Sequence, residues 1–221
     1  MSWDPVWENI FHERGQWGMY PPLELVRFIA ENYYSVPNRS MIKILELGCG
    51  PGGGPSWYIA REGFSYTGID GSPTAIEKAK KRFTQEGLKG ELVLGYFYQL
   101  PWAEETFDCV IDVASLQQNC EADATQAIRE VYRVIKPGGS HFSLISKNGS
   151  WGDGLGVRID PTSIKNVTEG PYADMGVTRF ATLESLEKQY TDFKDLQFEY
   201  SIRSMNNGRH EIVDWIVTCR K

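Results

Sequence analysis

The feature that most restricts the fold of this chain is a regular alternation of apolar runs and amphipathic stretches between residues 41 and 147. The apolar runs read as buried strands at 41–47, 64–69, 91–94, 107–113 and 140–146. The stretches between them repeat apolar residues at helical spacing, as Ile76, Ala79 and Phe83 do. Strands that alternate with helices indicate βαβ units and a parallel sheet, whose right-handed crossovers bring the carboxyl ends of the strands to one edge. We therefore predict a doubly wound α/β fold with its ligand site at that edge.

Three further segments flank or interrupt this alternation. Residues 1–40 are aromatic and helical in pattern, with a proline pair at Pro21 and Pro22 that should interrupt any helix. From 148 to 180 the pattern lapses into Gly, Asp, Asn and Pro, and a long loop inside a compact domain is usually functional or disordered. Residues 181–221 read as a helix followed by an antiparallel hairpin, because two alternating runs flank Asn206-Asn207-Gly208.

The composition narrows the class of partner. A net charge of −6 without a basic stripe makes nucleic acid a poor candidate, since phosphate backbones are held by clustered Lys and Arg. No apolar run approaches the roughly 20 residues that a membrane span needs. The first residues show neither the basic nor the apolar part of a signal peptide, and the four cysteines are scattered without a CxxC pair. We expect a cytoplasmic protein with no membrane partner; no cluster with metal-ligand spacing is present, and no pattern indicates an oligomeric state.

A glycine-rich loop follows the first strand. Gly48, Gly50 and Gly53 satisfy the G-x-G-x-x-G pattern, in which glycines permit a sharp turn and close approach of a ligand to the backbone. Asp70 ends the second strand, where a carboxylate can accept two hydrogen bonds from the hydroxyls of a ribose. These features alone also fit an NAD(P)-dependent oxidoreductase, which we keep as an alternative.

Two residues of the same loop favour a different cofactor. Glu46 lies two residues before the first glycine, where its carboxylate would repel a pyrophosphate but attract the ammonium of a methionine. Pro51 has no N–H, so it removes one donor from a loop that would otherwise cradle phosphate. The terminal hairpin also does not belong to a simple dinucleotide half-domain. The loop therefore favours a cofactor that carries a methionine ammonium.

Four segments in order resemble the motifs of the class I S-adenosylmethionine-dependent methyltransferases. They are ELGCGPGG at 46–53, YTGIDGS at 66–72, FDCVID at 107–112 and EVYRVIKPGG at 130–139. The resemblance implies a Rossmann-like sheet of seven mainly parallel strands with the last strand antiparallel, in agreement with the hairpin. It also implies S-adenosyl-L-methionine as cofactor, S-adenosyl-L-homocysteine as product, and methyl transfer to O, N or S of an acceptor. The acidity, the aromatic N-terminus and the polar insertion favour a small-molecule acceptor.

The resemblance assigns cofactor-binding roles by position. It implies that Gly48, Cys49 and Gly50 line the methionine part of the cofactor and that Asp70 holds the ribose. It also implies that the adenine lies beside Gly71 and Ser72, and that the methionine amino group lies near the backbone of Asp112 and Val113. On this basis residues 1–221 form one methyltransferase domain. Its parts are an N-terminal helical lid (1–40), a cofactor-binding core (41–147), a substrate-side insertion (148–180) and a C-terminal helix and hairpin (181–221).

The chain departs from the family pattern at two places. Tyr96 stands where many members carry an acid that accepts from the adenine amino group, so Tyr96 stacking, the Phe97 backbone or Gln99 would hold the adenine. Gln118 stands where a histidine often follows the fourth strand, and it would contact the cofactor carboxylate without serving as a base. Because the family's acid and histidine are missing at these two places, a catalytically silent cofactor-binding module remains a second alternative.

The N-terminal lid supplies the remaining candidates. We expect Trp17 and Tyr20, beside the proline pair, to touch ligand, and His12 to be the candidate general base. A base is needed only when the acceptor is protonated at the working pH, because the cofactor carries the hard chemistry. We expect acceptor recognition in the insertion, where Trp151, Asp153, Arg158, Asp160, Tyr172 and Arg179 lie.

Overall fold

The structure, a computed structural model, describes residues 4–14 and 18–221. Its strands are β1 (Lys43–Leu47), β2 (Ser65–Asp70), β3 (Glu91–Leu94), β4 (Phe107–Val113), β5 (Ile135–Ser146), β6 (Val157–Arg158), β7 (Ser163–Lys165), β8 (Val177–Arg179), β9 (Lys194–Met205) and β10 (His210–Arg220). Its helices are α1 (Val6–Glu13), α2 (Leu23–Tyr33), α3 (Gly54–Arg61), α4 (Pro73–Glu86), α5 (Glu121–Val134) and α6 (Leu183–Gln189), with short 3-10 turns at Arg39–Met41 and Leu116–Gln118.

The seven-stranded sheet has the order β3-β2-β1-β4-β5-β10-β9. Strands β1 to β5 pair in parallel, whereas β10 runs antiparallel between β5 and β9. A dinucleotide-binding sheet instead has six parallel strands in the order 3-2-1-4-5-6. The predicted fold class, a mainly parallel seven-stranded sheet with an antiparallel C-terminal strand, is confirmed.

Apolar side chains on both faces of the sheet hold the helices in place. One cluster packs residues of α5 and α6 against β4, β5 and β10, with Val131, Leu186 and Trp215 among its members. The other packs α2 and α3 on the opposite face, around Phe28 and Phe142. Because helices cover both faces, the carboxyl edge of the parallel strands is the place where loops and ligands meet.

The segment between β5 and α6 is more ordered than its sequence indicates. Strands β6, β7 and β8 form a small antiparallel sheet, and Ile164, Val167 and Phe180 pack beneath it. The sequence pattern lapses here because strands of two or three residues are too short to show an alternation of apolar and polar side chains. The insertion therefore contains a small antiparallel sheet and is not an irregular loop.

Helix α1 is tied to α4 by polar contacts at both of its ends. The Glu8 carboxylate accepts hydrogen bonds from the hydroxyls of Ser72 and Thr74, at the start of α4. At the other end of α1, the Lys78 ammonium donates to the carbonyl oxygens of Phe11 and, at 3.0 Å, of Arg14. These contacts place α1 across the carboxyl edge of the sheet, where the sequence predicts a lid.

Residues 4–14 and 18–221 hold neither a membrane-spanning helix nor a metal-binding cluster. No helix there is long and apolar enough to cross a membrane. No group of three or more His, Cys, Asp and Glu side chains in these ranges is arranged to hold a metal ion.

Candidate active site

A cavity of about 380 Å³ lies at the carboxyl ends of β1, β2 and β4. The glycine loop forms its floor, α1 and the segment around Tyr20 cover it, and the insertion closes one side. Much of its wall is apolar, and the aromatic and sulfur-containing residues that line it are Trp7, Phe11, Tyr20, Cys49, Phe97, Tyr172 and Met175. The volume is within the range of small-molecule sites, roughly 300–1,000 Å³.

The glycine loop requires glycine at two positions because a neighbouring side chain passes close to one of them and neighbouring backbone close to the other. Gly48 has φ +65°, and a Cβ there would lie 2.1 Å from the Ser115 hydroxyl oxygen. That hydroxyl donates to the Gly48 carbonyl at 3.2 Å, which ties the turn after β4 to the loop. A Cβ on Gly54 would lie 2.2 Å from the Tyr20 carbonyl oxygen. The loop is therefore pressed between the turn after β4 and the segment that follows α1.

Glu46 is a buried carboxylate in the cavity wall, with 3% of its surface exposed. The hydroxyls of Ser56 and Tyr66 both donate to its Oε2 at 2.6 Å. Burial raises the pKa of Glu46 to about 7 although these two bonds lower it, and the charges of Asp70 and Asp112 add to the rise. Since both hydroxyl bonds end on Oε2, Oε1 is the oxygen that a cationic ligand group can use.

Asp70 is also buried and lines the cavity. The Gly50 N–H donates to its Oδ2 at 2.9 Å and the Ser72 N–H donates to its Oδ1 at 2.9 Å. Burial raises the pKa of Asp70 to about 6 against these backbone bonds. Each carboxylate oxygen keeps lone-pair capacity for a ligand hydroxyl, so Asp70 orders the loop and remains able to bind a ribose.

Asp112 supports the site from behind, with no exposed surface. It accepts hydrogen bonds from the Ser143 hydroxyl and from the backbone N–H groups of Ser115 and Leu116, the latter two at 3.0 and 2.9 Å. Burial raises its pKa to about 6, and the fully buried Arg179 acts in the opposite direction. The side chain of Asp112 therefore holds the turn after β4, and Val113 and Gln118 from this region line the cavity.

The chemistry of these groups discriminates between the cofactors considered. The carboxylates of Asp4, Glu46 and Asp70 line the cavity and that of Asp112 lies directly behind it, so the site favours a ligand with positive charge. S-adenosylmethionine carries an ammonium and a sulfonium, whereas a dinucleotide would bring a pyrophosphate beside Glu46. The glycine turn, the position of Asp70 at the end of β2 and the sheet order are the features expected of a class I S-adenosylmethionine-dependent methyltransferase site.

The cavity brings together most of the residues that the sequence predicts for the cofactor. Those that line it are Tyr20, Glu46, Gly48, Cys49, Gly50, Asp70, Gly71, Phe97, Val113 and Gln118. Ser72 and Asp112 lie behind the wall, where both are hydrogen-bonded to the loops that form it. Trp17 lies outside the described residues.

Three predicted residues are placed away from the lining. Tyr96 is 43% exposed and its ring stacks parallel on that of Tyr98, with ring centroids 5.4 Å apart. Gln99 follows in the same turn, and Phe97 is the residue of this segment that reaches the cavity. His12 is on the exposed side of α1. Its role as a base stays a prediction without support from this geometry.

Sequence reasoning missed several residues that line the cavity. They are Asp4, Pro22, Ser115, Gln117, Asn119, Pro171 and Met175. Gln117 adjoins the predicted Gln118 and could have been found with it. Pro171 and Met175 gave no signal, because their position depends on how the insertion folds. Of the six insertion residues expected to recognise the acceptor, Tyr172 is the one that lines the cavity.

Comparisons with known proteins agree with this class. Residues 44–139 match a family model described as a methyltransferase domain. Over 120 residues the chain is 40% identical to the phthiotriol/phenolphthiotriol dimycocerosates methyltransferase of Mycobacterium leprae, which covers 52% of this chain and 43% of that protein. Over 121 residues it is 36% identical to the fatty-acid O-methyltransferase of Mycolicibacterium smegmatis, covering 52% of this chain and 42% of the relative.

A solved structure shares the whole fold. A SAM-dependent methyltransferase from Methanosarcina mazei superposes with a TM-score of 0.69 at 22% identity, covering 93% of this chain and 99% of that one. Residues 44–139 are therefore similar to a methyltransferase domain, and the chain shares its fold with this S-adenosylmethionine-dependent methyltransferase. The chain spans less than half the length of the two curated relatives, and the similarity to both is concentrated in about half of this chain.

Proposed function

We propose that the chain transfers a methyl group from S-adenosylmethionine to an O, N or S nucleophile of a small molecule. The observation that carries the proposal is the cavity at the glycine loop, with the buried carboxylates of Glu46 and Asp70 in its wall. Glu46 would pair with the cofactor ammonium, Asp70 would accept from the ribose hydroxyls, and Phe97 would pack beside the adenine.

The cofactor supplies an electrophilic methyl group. The protein therefore has to bind the cofactor and the acceptor, align them and exclude water. Trp7 and Phe11 of α1 line the cavity, and Pro171 and Met175 line it from the insertion. This mainly apolar lining would reduce the access of water that competes with the acceptor for the methyl group. These residues support a role beyond binding, in contrast to a catalytically silent module.

The acceptor side supports a small and mainly apolar substrate. The cavity of about 380 Å³ must hold the cofactor as well, which leaves limited room for the reactive part of the acceptor. The names of the two curated relatives refer to a fatty acid and to phthiotriol dimycocerosates, which are largely apolar acceptors. A cytoplasmic location belongs to the same proposal and is supported by four free cysteines, as a reducing compartment requires.

Calorimetric titration tests the cofactor part of the proposal. We expect S-adenosylhomocysteine to bind and NADH not to bind; affinity for NADH alone would refute the assignment and favour the oxidoreductase. A screen of small metabolites with methyl-labelled cofactor tests the transfer. One productive acceptor rules out the silent module, and binding without transfer to any acceptor would support it.

A further inference from the structure

Three side chains far apart in the sequence meet at the wall of the cavity, on the side of the insertion. The Tyr172 ring lines the cavity, and its hydroxyl is hydrogen-bonded to the hydroxyl of Ser146 at the end of β5. The same Tyr172 hydroxyl lies 3.5 Å from Oδ1 of Asp214 on β10, and the Ser146 hydroxyl lies 3.3 Å from that oxygen. The three groups form a continuous path from the cavity wall to a carboxylate.

The surroundings hold this cluster in one arrangement. Ser146 is fully buried, and its backbone N–H donates to Oε1 of Gln117 at 2.7 Å, so the cluster is joined to another residue of the cavity lining. The Tyr172 ring packs edge-on against Phe180, with centroids 5.9 Å apart. A tyrosine fixed at both its ring and its hydroxyl presents its oxygen in a defined position, as proton transfer to or from a substrate requires.

The pKa shifts of Asp214 and Tyr172 suit the transfer of a proton to Asp214. Burial raises the pKa of Asp214, while hydrogen bonds from Ser146 and Tyr172 and the positive charge of Arg203 lower it; the charge of Glu24 adds to the rise. Burial and the neighbouring Asp214 raise the pKa of Tyr172 to about 12. Tyr172 is therefore a neutral hydroxyl at physiological pH, and Asp214 is a carboxylate with more than the ordinary affinity for a proton.

We propose that Tyr172 is a catalytic residue that accepts the proton of a hydroxyl acceptor and passes its own proton to Asp214, so that the enzyme is an O-methyltransferase for alcohols or phenols. This rests on the proposed function. The acceptor oxygen forms its bond to the methyl group while its proton moves to the Tyr172 oxygen. The Tyr172 proton moves to Oδ1 of Asp214, and the electron pair of the broken carbon–sulfur bond stays on sulfur. Asp214 ends neutral and later releases the proton to water.

The same cluster disfavours the other acceptor types. A carboxylate acceptor is ionised already, needs no base and would be repelled by Asp214. An amine would be stabilised in its ammonium form by the same charge, and its lone pair would be blocked. A hydroxyl is the nucleophile that gains from a proton acceptor, and general bases contribute about 10²- to 10⁴-fold.

The test compares wild type with Tyr172→Phe and Asp214→Asn, using phenol, benzyl alcohol and octanol as hydroxyl probes and benzylamine and benzoate as matched non-hydroxyl probes. We expect wild type to methylate at least one hydroxyl probe, and both variants to lower that rate by about 100-fold or more. Any rate on benzoate should not fall in either variant, and it should rise in Asp214→Asn because the repelling charge is gone, whereas a general disruption of the pocket would lower both rates. Tyr34→Phe and Asp192→Asn, at exposed positions away from the cavity, are the matched controls.

A binding measurement supplies a second readout that does not depend on turnover. In protein loaded with S-adenosylhomocysteine, Tyr172→Phe should weaken the binding of the hydroxyl probe about two- to tenfold, as loss of one hydrogen bond does. The binding of the methyl ether of that probe should be unaffected. Equal losses for the probe and its ether would show a structural role and overturn the inference.

Three further outcomes would also overturn it. They are a hydroxyl rate within threefold of wild type in Tyr172→Phe, absence of methylation on every hydroxyl probe, and transfer restricted to benzylamine or benzoate. The last of these leaves the proposed function intact. A wild-type protein that fails to bind S-adenosylhomocysteine refutes the proposed function itself, so the two failures are distinguishable.

Discussion

Replacing Glu46 with Gln should make the protein more stable and its cofactor binding weaker. Glu46 is 3% exposed, and its pKa rises from the ordinary 4.5 to about 7. One pKa unit corresponds to about 1.4 kcal/mol, so the ionised carboxylate costs the folded protein about 3 kcal/mol at pH 8. Glutamine removes this cost and, because both hydroxyl donors use Oε2, its single carbonyl oxygen can accept from Ser56 and Tyr66 alike.

The pH dependence of this gain has a defined sign. Glu46 has a raised pKa in the folded protein, so the folded state binds the proton more tightly than the unfolded state, and stability falls as the pH rises from about 4.5 to about 7. Below pH 4.5 the carboxyl is protonated in both states and the penalty disappears. The stability difference between Glu46→Gln and wild type should therefore be small near pH 4 and approach about 3 kcal/mol at pH 8.

Cofactor binding should change in the opposite direction. The amide N–H₂ of glutamine would occupy the place of Oε1, where it faces the ligand ammonium with the wrong polarity. Loss of a charge-assisted hydrogen bond costs about 1.5–3 kcal/mol, which raises the Kd for S-adenosylhomocysteine about 10- to 150-fold. Equilibrium denaturation between pH 4 and pH 8 and calorimetry at pH 8 measure the two effects, with the exposed Glu187→Gln as control. A variant that is no more stable than wild type at pH 8, or that binds with unchanged affinity, would refute the reasoning.

Three further perturbations follow from the contacts around the cavity. Asp70→Ala should weaken S-adenosylhomocysteine binding about 10- to 150-fold by loss of a charge-assisted bond, and an unchanged calorimetric Kd in a folded variant would contradict the assigned ribose site. Gly48→Ala should lower the free energy of unfolding by about 1–3 kcal/mol, since the new Cβ would overlap the Ser115 hydroxyl at a positive φ; a change below about 0.5 kcal/mol in urea unfolding would count against this. Glu8→Gln should loosen α1 from the start of α4 and speed proteolysis near residue 14, whereas cleavage as slow as in wild type would show that the contact with Ser72 does not hold the helix.

Much of the core was predictable because its signals are local. The predicted limits of β3 and β4, at 91–94 and 107–113, agree with the structure residue for residue. Helix α4 begins with Ser72 as N-cap and Pro73 in its first turn, a start signal carried by neighbouring residues, and the Ser72 hydroxyl accepts from the Ala75 N–H at 3.0 Å. Both kinds of signal depend on residues within one element, where periodicity and capping chemistry act over a few positions.

Predictions were weaker where pairing partners decide the local structure. Strand β5 begins at Ile135, although the proline and glycines at 137–139 favour an irregular turn and the predicted start lies at 140. Ile135 pairs with Phe107 on β4, and the register shifts before Ser140 pairs with Cys109. The neighbouring strand therefore sustains an extended backbone that local propensity disfavours.

The sequence by itself determined the class of fold and the cofactor end of the site, including Glu46 and Asp70. These residues lie at the carboxyl ends of β1 and β2, which pair in parallel, so their meeting is a consequence of the topology. Only the tertiary structure decided the acceptor end, because Ser146, Tyr172 and Asp214 come from a strand, an insertion and the terminal hairpin, and the first and the last are 68 positions apart. It also decided the pKa of Glu46, since that value depends on burial and on neighbouring charges that no single segment contains.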